Sequence, residues 1–137
     1  MRAVATLLRA FSYLYHTALS LFLLAIAGLA ASGPSHLNLP ILPWTGSTLV
    51  YIVAASGFAG LVSVVLALLG KVRWLFVIWS LVVAVALLRG YTSATYHFAP
   101  GGYKVALCLV AGSLIAVLGA WSCLRTPAGK ARQYRTR

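Results

Sequence analysis

The sequence contains no aspartate and no glutamate. Paired-carboxylate acid–base catalysis, a Ser-His-Asp triad and a carboxylate proton relay each need a side chain that this protein lacks. Calcium and magnesium sites draw on Asp and Glu oxygens and are excluded with them. So is a cation carrier that neutralises its cargo with a buried acid. Cysteine is scarce too, with only Cys108 and Cys123. Both fall in one apolar run, where a helix would hold them ~22 Å apart, far beyond disulfide reach. There is no CxxC and no CxxCH, so a redox dithiol or a c-type haem attachment has no support. These gaps lead us to expect no enzyme, no resident metal and no obligatory cofactor.

Charge is sparse and of one sign. Only 8% of the 137 residues are charged, all Lys or Arg, for a net charge of +11. In a soluble protein such a balance would suggest nucleic acid. Here the cations flank long apolar runs, which membrane topology explains better, and no nucleic-acid partner is expected.

Apolar residues are what the chain has in abundance: 62% of the total, with a mean hydropathy of +0.97. Soluble domains run nearer 45–50% on average, so roughly an eighth of the chain is surplus apolar material. It is gathered into four runs, at about residues 10–31, 47–70, 73–91 and 103–124. A bilayer core needs ~20 residues of helix, and the runs are of that size. The third is the shortest, and its bounding Arg73 and Arg89 can snorkel to the headgroups. Arg2 and Arg9 ahead of the first run, with Ala25-Ile26-Ala27 near its end, also resemble a secretory leader. We read that run as a retained span. The expected fold is an all-α, integral membrane four-helix bundle, one domain over residues 1–137, with a basic tail at 125–137.

Orientation follows from the cations. Arg2, Arg9, Lys71, Arg73, Arg125, Lys130, Arg132, Arg135 and Arg137 fall on one side of such a bundle, and only Arg89 and Lys104 on the other. The positive-inside rule then puts both termini in the cytoplasm. The expected location is a bacterial inner (cytoplasmic) membrane. Phe11, Tyr13, Trp74 and Trp121 should mark the inner interface, and Trp44, Tyr51, Tyr91, Tyr96 and Tyr103 the outer one.

Three groups of residues stand out. The first is a polar stripe on helix 1: Arg9, Ser12, Tyr13, His16 and Ser20, at helical spacing. His16 is the one histidine inside a run. With Arg9 and Tyr13 beside it, it could ligate haem or chlorophyll, or hold a quinone headgroup. The competing reading is a hydrogen-bonded helix contact, and it weighs more. A bis-histidine haem needs a second His at the same depth, whereas His36 and His97 belong to the opposite loops. Those two have no Cys or carboxylate to complete a metal site and read as ordinary loop residues.

The second group is two stripes of small residues. Ser56, Gly60, Ser63 and Ala67 lie on helix 2, and Gly112, Ala116 and Ala120 on helix 4. Small side chains let backbones approach closely, so these should be the internal packing faces. Helix 3 is bulkier, with Trp74, Leu75, Phe76, Val77, Ile78, Trp79 and Leu81, and should show more surface to lipid or to another subunit.

The third group is cations that no acid in the chain can pair. Arg89 and Lys104, and the tail residues Lys130, Arg132, Arg135 and Arg137, should meet lipid phosphate or a partner's carboxylates. The expected function is accordingly a non-catalytic accessory or structural subunit of a larger membrane complex, of respiratory, photosynthetic or secretion type. Its partners would be other membrane subunits and anionic lipids. Two alternatives stand beside it: a cofactor-carrying anchor built on the helix 1 stripe, and a small homo-oligomeric transporter or lipid carrier.

Overall fold

The computed structural model describes residues 2–33, 45–92 and 102–124. They form four helices: α1 (Arg2–Ser32), α2 (Gly46–Leu68), α3 (Arg73–Thr92) and α4 (Gly102–Leu124). Each is long and apolar enough to cross a membrane, which makes this a multi-pass membrane protein by length and composition. Most of the two long loops and the 125–137 tail lie outside the described residues.

Helix α1 starts at Arg2, two turns before the apolar run. Ala3, Ala5, Leu7, Leu8 and Arg9 are strong helix formers, so the ladder continues past the apolar boundary. Helix α2 stops at Leu68, with Leu69 as its C-cap and a left-handed glycine after it. Gly70 adopts φ +73°, its N–H bonds to the Ala67 carbonyl at 3.0 Å, and the Lys71 N–H reaches back to Leu66 at 3.2 Å. This is the Schellman arrangement, and its left-handed position needs glycine. Arg73 then opens α3, so the α2–α3 hairpin is tight.

Helix α1 is the hub. It packs along α2 and α4, while α3 closes the ring against α4 and, more lightly, against α2. Arg9 meets Ser122, and Ser12 meets the Ala116 carbonyl. The start of α1 therefore lies beside the end of α4, and the chain enters and leaves the bundle at one end.

The apolar core is two clusters. Val64, Ala67, Phe76, Val77 and Ala120 pack together toward that terminal end, with Tyr13 and Leu124 against them. Ala27, Leu49 and Val53 form the second cluster, at the opposite end of α1 and α2. The bulky residues of α3 do not all face outward. Phe76 is fully buried and Val77 nearly so, and Ser80, Val83, Ala84 and Gly90 are buried with them. These positions share one helical face. Trp74, Leu75, Ile78, Leu81, Val82 and Val85 form the exposed face.

Candidate functional site

The polar stripe of α1 turns into the bundle. Ser12, His16 and Ser20 are all buried, and Arg9 and Tyr13 are half-buried. Ser63 of α2, Ser80 of α3 and Ser113 of α4 are buried as well, so each helix brings a hydroxyl to the interior. Ser63 and Ser113 donate to carbonyls of their own helices, at Gly60 and Val110, each at 2.7 Å. Ser12 instead crosses to α4 and donates to the Ala116 carbonyl at 2.7 Å. Tyr15, outside the predicted stripe, also crosses, donating to the Leu109 carbonyl at 2.8 Å.

His16 sits at the centre of this arrangement. Its Nδ1 lies 2.9 Å from the Ser12 carbonyl, which can only accept, so Nδ1 carries the proton. The ring meets the edge of Phe76 from α3 at 5.2 Å between centroids. Tyr13 also packs against Phe76, at 5.1 Å between centroids. Nε2 of His16 and Oγ of Ser80 are buried with no hydrogen-bond partner among the described residues. His16 is closed in by aromatic rings, with 1% of its surface exposed.

The small-residue stripes lie largely inside. Gly60, Ser63, Ala67, Ala116 and Ala120 are buried, and Ser56 and Gly112 are half-buried. A Cβ at Gly60 would collide with Ser20 Oγ and press on the Trp79 indole, and one at Gly112 would come within 2.9 Å of the Tyr15 ring. The closest approach to another helix's backbone falls on Gly119, which the stripe pattern passes over. A Cβ there would collide with the Leu8 backbone carbonyl. Its signal was available, since Gly119 lies seven residues, two helical turns, beyond Gly112.

At the end where α1 begins, the four helices leave a cleft of about 370 Å³. Thr6, Arg9, Tyr13, Leu68, Arg73 and Cys123 line it. Arg9 donates Nε–H to Ser122 Oγ at 3.2 Å, and Arg73 donates from Nη1 to the Cys123 carbonyl at 3.4 Å. The Tyr13 hydroxyl and the Cys123 thiol are 3.3 Å apart. The sequence reading had grouped Arg9 and Tyr13 with His16. The structure adds Arg73, which the sequence places at the boundary of the third run and not beside Arg9.

The remaining cations are separate from this cleft. Arg89 and Lys104 are exposed near the opposite end of α3 and α4. Lys130, Arg132, Arg135 and Arg137 lie outside the described residues, as do His36 and His97. Among the described residues there is no group of three or more His or Cys able to hold a metal ion. Comparison with protein-family models, curated proteins and solved structures found no match.

Proposed function

We propose that this protein is a non-catalytic subunit of a larger membrane assembly, set in a bacterial inner membrane with both termini in the cytoplasm. The observation that carries the reading is Arg89. It is exposed at the far end of α3, and no side-chain carboxylate exists anywhere in the chain to meet it. Placed at the interface, it has two kinds of counter-charge open to it: lipid phosphate and a carboxylate on a neighbouring subunit. The exposed face of α3 extends from the same helix. Trp74, Ile78, Leu81, Val82 and Val85 make a broad apolar surface on the most lightly packed member of the ring. The interior supports a structural role as well, since its serines and glycines are engaged in helix-to-helix packing.

Extraction in mild detergent followed by native mass measurement tests this. The chain should migrate in a complex well above its own mass, and Arg89→Ala should release it while Lys104→Ala releases less. A lone monomer whose behaviour neither change affects would overturn the reading. A reporter active in the cytoplasm should give signal when fused after Arg137, and none when inserted within residues 32–46.

One observation favours a second reading, the cofactor anchor. With Nδ1 protonated, Nε2 of His16 presents an unused lone pair inside the bundle. Haem or chlorophyll ligation there would give the purified protein a visible absorption band that His16→Ala removes. A colourless protein sinks the haem and chlorophyll forms of that alternative, and absence of a quinone from its organic extract sinks the third.

A further inference from the structure

The cleft at the terminal end brings together two guanidinium groups, two hydroxyls and an apolar floor. We propose that it is a binding site for the phosphate group of an anionic phospholipid. The proposal rests on the protein being embedded in a membrane, and is independent of what assembly it joins.

Depth is the first argument. Arg9 is level with Ser122, and Arg73 with Cys123, so both arginines stand within the last turn of α4 as described. Helix α2 ends at Leu68 and α3 begins at Arg73 on the same level. Trp74 and Trp121 are exposed there, and Tyr51 and Tyr103 are exposed at the other end of the bundle. From Tyr103 to Trp121 the helix rises ~27 Å, close to the ~30 Å of a bilayer's hydrocarbon core. The cleft thus falls at the boundary between hydrocarbon and headgroups, where lipid phosphates lie.

Chemistry is the second. A guanidinium offers a planar fork of donors that matches phosphate oxygens two at a time. Arg9 has one of its five N–H groups on Ser122, and the others remain for the cleft. Arg73 is anchored by the Cys123 carbonyl, which fixes its guanidinium near the end of α4. Thr6 and Tyr13 bring hydroxyls to the wall. The first turn of α3 carries no acidic residue, so the positive end of its dipole is not opposed there. No Asp or Glu of this chain can compete for the site. Ala10, Ala67 and Leu68 complete the lining with apolar surface, suited to the glycerol and upper acyl carbons below a phosphate.

The test is native mass spectrometry of the delipidated protein in neutral detergent. The probes are phosphatidylglycerol, phosphatidylcholine and inorganic phosphate. The protein should retain one phosphatidylglycerol in preference to phosphatidylcholine, and inorganic phosphate should not displace it. Charge-assisted hydrogen bonds of this kind carry about tenfold or more in affinity each, so Arg9→Gln and Arg73→Gln should each weaken retention by roughly that factor. Arg89→Gln, at the other end, should retain the lipid as the unaltered protein does. Because Arg9 also ties α1 to α4, Leu68→Trp supplies a variant that fills the cleft and keeps both arginines. Leu68 is largely exposed, so the fold should accept it, and lipid retention should fall. Equal retention of the two lipids, or a Leu68→Trp protein that still holds phosphatidylglycerol, would overturn the proposal. So would displacement by inorganic phosphate, which would mark a site for soluble phosphate. An acidic protein released by the arginine changes, with no phosphatidylglycerol bound, would assign the cleft to a partner's carboxylate instead. Loss of the large complex on Arg89→Ala with lipid retention intact would leave both proposals standing separately.

Discussion

The two ends of the bundle are held together by different means. At the end where the chain enters and leaves, side chains cross between helices: Arg9 to Ser122, Ser12 to the Ala116 carbonyl, Tyr13 to Cys123 and Arg73 to the Cys123 carbonyl. Toward the other end Tyr15 makes one more crossing, to the Leu109 carbonyl, and beyond it Ala27, Leu49 and Val53 meet as apolar surface. In lipid, apolar contact between helices gains nothing from leaving water, because acyl chains are equally apolar. What remains is close packing and hydrogen bonding. Close packing tolerates small shifts in register, whereas a hydroxyl 2.7 Å from one particular carbonyl does not. The terminal end therefore sets how α1 sits on α4, and the far end adds cohesion. Gly119, packed against the α1 backbone at the terminal end, and Gly28, near the far end with nothing within 4 Å, make the sharpest pair.

The largest effect is expected at Gly119→Leu. Its Cβ alone would overlap the Leu8 backbone, which cannot rotate away as a side chain can. No monodisperse bundle should be recovered by gel filtration in detergent. Gly28→Leu, on the other end of α1, has nothing within 4 Å of its Cβ and should give a normal yield. Similar yields from the two variants would refute the tight α1–α4 contact. Leu49→Ala comes next. Leu49 is fully buried, and removing its side chain from the far cluster should cost about 2 kcal/mol in thermal or denaturant unfolding, the low end of the range for large-to-small core changes, because in lipid only the packing loss counts.

The four spans were legible because bilayer thickness fixes a length, and uninterrupted apolar runs of that length are hard to mistake. The inward turn of Ser12, His16 and Ser20 was legible for a related reason: polar groups in an apolar run stand out against lipid. Burial of Phe76 and Val77 was not. The core-facing and lipid-facing sides of a membrane helix are both apolar, so the contrast that marks a soluble amphipathic helix vanishes. Nor was the joining of Arg73 to Arg9. They lie far apart in sequence, and only the packing of α1 and α3 around the end of α4 brings them to one cleft. The start of α1 was placed too late, because hydropathy marks where the apolar run begins and the helix begins before it.

The smallest expected effect, at Ser12→Ala, tests what the terminal end contributes. The change removes one hydroxyl and one cross-helix hydrogen bond and leaves the volume nearly unchanged. The Ala116 carbonyl keeps its bond within α4, so no polar group is stranded. Interhelical bonds of this type are worth about 0.6 kcal/mol on average in membranes, so the stability loss should be well below that of Leu49→Ala. If the hydrogen bond fixes register, however, its loss should show in a different observable. Paired spin labels or cysteines on the exposed faces of α1 and α4, at Leu14 and Leu114, should report a broader distance distribution in Ser12→Ala than in the unaltered protein. Leu49→Ala should lower stability and leave that distribution narrow. If Leu49→Ala broadens it and Ser12→Ala does not, the division of labour between the two ends is the reverse of the one drawn from the hydrogen bonds.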